Sequence, residues 1–336
     1  MKRRLFLKGS TGVLAGGVVA ASQARGQSSI SSIRSVTRLF DPSGWPPNAG
    51  IHDIILSNGA SICLLGDAMS NRFAVAATTA AGEPLWQYEL PKGKYMSLGT
   101  TAGGSSVTIH ALQYPAPDKR NHLNCILGLD PASGNIAILG SMGRPEGTSG
   151  SRLSFVGDSL LARVVNGQFE IWKVDADITL YAKPIIGVEG RNAHIDLVSA
   201  DSVAITAGDA AKLSVVSLSS AGVSDYVLQS PEIDHAKSLA QTIYARSGMD
   251  PQKVPLPTVW ATGSDRKGLV YTILSPIETH KPAQMVTISQ TGIVQNAGSY
   301  QFPAVGAGYG PPILVLVRGS ELGIVFGFGN VAWYAS

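Results

Sequence analysis

The chain of 336 residues has little charge and few cysteines. Charged residues make up 15% of it, and the formal net charge is only +3, which gives no support to nucleic-acid binding. Two cysteines are too few for a disulfide-stapled scaffold. The six histidines show no H-x-H or H-x-x-x-H spacing, which gives little support to a dedicated transition-metal site.

Long apolar runs and catalytic motifs are also lacking. The apolar stretch 313–328 is interrupted by Arg318 and Glu321, so it predicts a hairpin and not a membrane span of about 20 residues. There is no G-x-S-x-G nucleophile elbow, because 147–150 has the wrong spacing. The glycines of 306–310 are followed by two prolines and lack the strand–helix context of a dinucleotide site.

The first 24 residues have the layout of an export signal. A cationic start over residues 2–8 precedes a weakly apolar run of small residues, 9–21, and a small-residue cleavage site at Ala24. The run is too short to span a bilayer. Cleavage after Ala24 removes four basic and no acidic residues, which leaves 22 basic and 23 acidic residues and a net charge of −1.

The leader resembles a bacterial twin-arginine (Tat) signal. The resemblance rests on an arginine pair followed by x-Phe-Leu-Lys, namely Arg3, Arg4, Phe6, Leu7 and Lys8. It implies the Tat translocase as a partner during export, folding before export, and a periplasmic or secreted mature protein. The alternative is a Sec leader that contains two arginines.

The rest of the chain alternates short apolar runs with Gly, Asn, Asp and Ser turns. Four strand-like runs lie within 40 residues, at 53–57, 61–65, 73–78 and 85–90. Asn58-Gly59 is a two-residue hairpin signal between the first two. This pattern predicts an antiparallel meander.

The meander recurs along the chain. Residues 52–68 match 194–210 at a constant offset of 142 residues, about three units of roughly 45 residues. The sequence therefore predicts an all-β propeller of about six blades, with seven blades or a pair of β-sandwiches as alternatives. The six predicted units are 51–90, 95–141, 152–185, 193–229, 257–300 and 313–335. The last unit has only three strands, and we expect the run 33–40 to supply its fourth and close the ring.

Two segments, 81–88 and 129–134, resemble the turns and outer strands of propellers with WD-like or pyrroloquinoline-quinone-like repeats. The resemblance implies the fold. Quinone-dependent dehydrogenases of this fold use a vicinal disulfide, which is absent here, so the resemblance does not extend to their cofactor. The cofactor remains unknown. Cys63 and Cys125 fall in strands of adjacent predicted blades. They could form a disulfide in an oxidising periplasm, but we expect buried free thiols.

One segment breaks the β pattern. Apolar residues recur with helical spacing from Ala236 to Tyr244, with Asp234 as the expected N-cap and Gly248 as the expected C-terminal cap. The spacing predicts an inserted helix over 235–247. It either packs on the propeller or acts as a lid.

Candidate functional residues lie on the predicted innermost strands. His52 and Asp53 are in the first blade, and His194 and Asp196 are in the fourth, which faces it across a six-bladed ring. Imidazole and carboxylate groups there can bind a cation or supply a general base. Alternatively, each bonds the neighbouring backbone inside the channel.

Two functional classes remain open on the sequence. The first is an exported binding or scaffold module for a protein or small molecule. The second is a hydrolase- or lyase-type enzyme with catalytic His52, Asp53, His194 and Asp196. The predicted organisation is a cleaved signal peptide (1–24), a linker with the closing strand (25–50) and the propeller (51–336).

Overall fold

The structure is a computed structural model. It describes residues 30–39, 49–57, 59–67, 70–79, 81–100, 107–115, 121–141, 153–155, 160–165, 168–174, 178–188, 193–248, 258–275, 281–303 and 309–335. The predicted signal peptide lies outside these residues. The strands in chain order are β1 (Ile30–Ser31), β2 (Ser35–Arg38), β3 (Gly50–Ser57), β4 (Ala60–Asp67), β5 (Arg72–Thr79), β6 (Pro84–Glu89), β7 (Lys94–Thr100), β8 (Val107–Pro115), β9 (Asn121–Leu129), β10 (Ile136–Ser141), β11 (Leu153–Phe155), β12 (Leu160–Val165), β13 (Gln168–Val174), β14 (Ile178–Ala182), β15 (His194–Ser199), β16 (Ser202–Thr206), β17 (Lys212–Ser217), β18 (Val223–Val227), β19 (Val259–Ser264), β20 (Leu269–Leu274), β21 (Ala283–Ser289), β22 (Val294–Tyr300), β23 (Pro312–Arg318), β24 (Glu321–Phe326) and β25 (Asn330–Ala335). The helix α1 (Pro231–Ser247) lies between β18 and β19.

The strands form six antiparallel meanders arranged as a propeller, which confirms the predicted fold. Blades 1 to 5 are β3–β6, β7–β10, β11–β14, β15–β18 and β19–β22, and blade 6 is β23–β25 with β2. The short β1 adds to blade 5 by pairing in parallel with β22.

Middle strands read as nearly continuous apolar runs because a neighbouring blade covers each of their faces. In β4, seven of eight residues are buried. The outermost strand of the same blade, β6, instead alternates between exposed and half-buried residues. Apolar side chains therefore fill the spaces between blades.

The apolar packing is uneven around the ring. The interfaces between blades 1 and 2 and between blades 3 and 4 each contain more than ten buried apolar residues. Among the described residues between blades 2 and 3, the buried cluster consists of Ile126, Leu161 and Val174, with three half-buried side chains against it. Polar groups occupy part of this interface.

The chain closes the ring with its own N-terminal part, as predicted for 33–40. Strand β2 pairs antiparallel with β25, from Ser35 opposite Trp333 to Arg38 opposite Asn330. The Trp333 indole N–H donates to Thr37 Oγ1 over 3.1 Å. Blade 6 thus gains its fourth strand from residues nearly 300 positions earlier in the sequence.

The helix begins four residues earlier than predicted. Its N-cap is Ser230, whose Oγ accepts a hydrogen bond from the Ile233 amide over 3.2 Å, and Pro231 opens the first turn. Asp234 is therefore a residue of the first turn and not the cap. Gly248, with a φ of 67°, ends the helix as predicted.

Helix α1 packs on blades 4 and 5 through Ile233 and Ala236. No helix in the described part of the chain is long and apolar enough to cross a membrane. Cys63 and Cys125 are both buried free thiols.

Candidate functional site

All six innermost strands begin at the same face of the ring. Each blade has four antiparallel strands, so the first strand of every blade runs in the same direction. These first strands are β3, β7, β11, β15, β19 and β23, and neighbours such as β19 and β23 contact each other around the axis. We call the face where they begin the entry face. Helix α1 connects two blades and lies at this face.

Four of the innermost strands carry a β-bulge near their start. In each case the register of pairing with the next strand skips one residue. A bulge leaves its extra residue unpaired and turns that side chain away from the regular alternation. The four bulged residues, here called the bulge ring, are His52, Met96, Trp260 and Ile313.

The bulge-ring side chains are exposed between buried neighbours. Met96 is 46% exposed and Trp260 is 37% exposed, although the residues on either side of each are almost fully buried. His52 is also exposed and Ile313 is half-buried. The bulges place these four side chains near the entry-face ends of the innermost strands, outside the regular alternation. Ile313 also packs against the apolar cluster between blades 6 and 1.

A fourth apolar side chain lies on the same face. Phe328 is exposed in the turn between β24 and β25 and packs beside Gly310. The entry face thus combines two aromatic rings, a thioether and a branched aliphatic side chain with one imidazole. An apolar concave surface with a few polar groups is the usual composition of a small-molecule or peptide-anchor site.

His52 is the polar group of the bulge ring. Its Nε2 lies 3.3 Å from the Gly66 carbonyl oxygen, and its ring is tilted against the Phe73 ring with centroids 5.1 Å apart. Partial burial lowers the pKa of the imidazole, against the opposing effects of Gly66 and the Asp67 carboxylate. The lowered pKa favours the neutral imidazole of His52 at pH 7.

The two predicted aspartates join neighbouring blades. Asp53 Oδ2 accepts a hydrogen bond from the Leu98 amide of β7 over 2.8 Å. Asp196 Oδ2 accepts one from Thr262 Oγ1 of β19 over 2.7 Å. Leu98 and Thr262 each lie two residues after a bulge. The aspartates thus make equivalent inter-blade bonds on opposite sides of the ring.

The structure places the four predicted site residues on the innermost strands of blades 1 and 4, as expected. Their surroundings differ, since His194 and Asp196 are buried and His52 is exposed. Among the described residues, no three His, Cys, Asp or Glu side chains come together closely enough to hold a metal ion. A catalytic role for the four residues remains a prediction.

Sequence reasoning missed Met96, Trp260 and Ile313. Each follows the connection that leads into a blade, in a strand whose other residues are mostly apolar. One further apolar residue in such a strand gives no signal of a bulge, because alternation is already absent there.

Comparison with known proteins shows the fold. No protein-family model and no curated protein matches the chain. A structure of U3-55K matches with a TM-score of 0.52 and 10% identity, over 91% of this chain and 100% of that one. The WD40 repeats of RRP9 match with the same TM-score and identity, over 92% and 99%. Virginiamycin B lyase from Staphylococcus aureus matches with a TM-score of 0.47 and 12% identity, over 90% and 99%. The chain shares the β-propeller fold of the WD40 structures.

Proposed function

We propose that the mature chain is an exported, periplasmic or secreted propeller that binds an uncharged, mainly apolar group at the bulge ring. That group is a small molecule or an apolar side chain of a protein partner. The observation that carries the proposal is the repetition of one device. At least three blades present a large exposed side chain at the same bulged position, and a fourth presents Ile313.

The repetition matters because exposing these side chains to water is unfavourable. Transfer of apolar area out of water is worth about 25 cal/mol per Å². Strands without bulges would hide the same residues between blades. The repeated exposure of the bulge-ring side chains therefore supports a ligand-binding surface. Bulges are also frequent beside functional sites.

Binding is favoured over catalysis by the bonding of the carboxylates. Asp53 and Asp196 each accept a hydrogen bond from the next blade, which orients them for structural contacts. The second candidate function is a lyase- or hydrolase-type reaction with His52 as general base. It is favoured by one observation, the exposed imidazole of His52 at the entry face, whose lowered pKa favours the neutral form.

The binding proposal is tested with an uncharged fluorescent apolar probe, N-phenyl-1-naphthylamine. We expect a saturable fluorescence increase with the native protein, and a loss of affinity of at least tenfold in Trp260→Ala. Val227→Ala is the control. Val227 is also an exposed apolar residue, 68% exposed, but it lies on the outermost strand of blade 4 and not in the bulge ring. Equal loss in both variants, or no probe binding at all, contradicts the proposal.

The catalytic alternative has a separate readout. His52→Ala would abolish turnover of a substrate and leave probe binding within about threefold of the native protein, since the apolar walls remain. If a substrate is found and His52→Ala turns it over at the native rate, His52 is not the base.

A further inference from the structure

The interface between blades 2 and 3 contains a cluster of buried polar side chains. Ser97 on β7 and Thr108 and His110 on β8 are each at most 3% exposed. The adjacent residues Val107, Ile109 and Ala111 belong to the apolar cluster shared with blade 1. Because strand residues alternate between faces, Thr108 and His110 face blade 3.

The strand register brings the three polar side chains together. Ser97 is paired directly with His110, so both point to the same side of the sheet. Thr108 lies two residues from His110 on the same strand and therefore on the same face. We call these three residues the polar triplet.

None of the polar atoms of the triplet has a hydrogen-bond partner in the structure. These atoms are Ser97 Oγ, Thr108 Oγ1 and both ring nitrogens of His110. They make up half of the buried side-chain atoms without a partner in the described part of the chain. Buried polar groups are almost always satisfied by protein or by ordered water. Four such atoms on one patch indicate a missing bonding partner at that patch.

Blade 3 supplies a polar wall opposite. Arg163 and Glu170 are buried there and form an ion pair. Glu170 also accepts from the Trp172 indole over 3.2 Å and from Lys183 Nζ over 3.1 Å. Burial lowers the pKa of the His110 imidazole, and the nearby Arg163 charge lowers it further. The guanidinium is already matched by a carboxylate, so the patch offers no unmatched charge for an ion.

Asn124 on β9 borders the same patch. It has a φ of 49°, a left-handed conformation rare inside a strand. The Asn124 side chain is within hydrogen-bonding reach of the His110 imidazole and raises its pKa, but the contact is too poorly aligned to satisfy either ring nitrogen. Local strain of this kind occurs where a site is held in a defined shape.

The chemistry of the patch selects the ligand. Two hydroxyls and a neutral imidazole each donate and accept hydrogen bonds, and none carries a charge. Water has the same dual capacity and is the usual partner of otherwise unsatisfied buried groups. We infer that the space between blades 2 and 3 is a closed binding site for ordered water, held by Ser97, Thr108 and His110.

The sign of a stability change tests this inference. Thr108→Val removes the hydroxyl and keeps the shape. With water bound, the substitution strips a bridging partner, and the unfolding equilibrium constant should rise at least tenfold. In a dry interface it removes an unsatisfied group, and that constant should stay the same or fall.

Thr206→Val is the matched control. Thr206 on β16 is also fully buried with an unpartnered hydroxyl, and no member of the polar triplet lies on its blade. We expect its unfolding equilibrium constant to change by less than threefold. If Thr108→Val stabilises the protein, or if both variants lose stability equally, the inference is wrong.

A direct readout accompanies the stability measurement. In an X-ray structure at high resolution we expect a water oxygen within about 3.2 Å of at least two atoms of the triplet. The oxygen should be lost in Ser97→Ala combined with Thr108→Val. Empty density at the triplet of the native protein would overturn the inference even if the variants failed to fold.

Discussion

At the scale of single residues, His110 shows how burial without a partner controls a protonation state. Its imidazole is 1% exposed, and Arg163 beside it opposes a positive charge. Desolvation is the main cause that lowers the pKa of His110 to about 4. Glu170 and Lys183 also lie in this interface, and the Glu170 carboxylate is already bonded to Arg163 and Lys183.

The protein should therefore lose stability in mild acid. The unfolded chain protonates His110 near pH 6.5, whereas the folded chain resists protonation until about pH 4. Stability from this group is complete above pH 6.5 and declines as the pH falls toward 4, by up to about 3 kcal/mol. Urea unfolding at several pH values should show a shallower decline between pH 6.5 and 4 in His110→Gln. His235→Gln, at an exposed position on α1, should keep the native profile; an unchanged slope in His110→Gln would refute this assignment.

Only some of the residues that sequence patterns single out are exposed at the entry face. His52 was predicted from its place on an innermost strand, and the structure exposes it there. Asp53 and Asp196 were predicted as functional groups, and the structure shows them bonded to neighbouring blades. A contact such as Asp196 with Thr262 joins residues 66 positions apart, and no local pattern encodes it.

At the scale of strands, the predicted units and the closing strand could be derived because hairpin turns and apolar runs are local signals. The position of helix α1 followed from its periodicity, and its first turn was missed because Ser230-Pro231 is itself a start signal that precedes the apolar stripe. The bulges could not be derived. They change the pairing by one residue inside strands that are apolar throughout.

The crossing of two innermost strands gives an element-scale prediction. A side chain at Gly263 of β19 would overlap the carbonyl oxygen of Val315 on β23. Gly263→Ala should therefore force the two strands apart and reduce the free energy of unfolding by about 1–3 kcal/mol. Denaturant titration measures the loss.

Gly222→Ala is its control, because the added Cβ meets only Ser220 Oγ at 3.1 Å in an exposed turn. It should change stability by less than about 0.5 kcal/mol. Equal stability of the two variants would mean that β19 and β23 do not approach as closely as described.

At the scale of the whole molecule, the predicted leader and the closed ring bear on the same question, namely whether the protein is exported after it has folded. We propose that Arg3 and Arg4 direct the folded propeller out of the cell. Replacing both by lysine should leave precursor inside, and fractionation with an antibody measures the exported share. N-terminal sequencing of the exported native protein should begin at Arg25. Undiminished export of the lysine variant would assign the leader to the Sec route.

The pairing of β2 with β25 also sets the order of events during synthesis. Ser35 is translated nearly 300 residues before its partner Trp333. Until then the ring stays open, with the edge of its final hairpin unprotected against pairing with other chains. Export during translation would move a propeller whose ring is still open. A translocase that exports folded proteins would instead receive the propeller after β2 and β25 have paired.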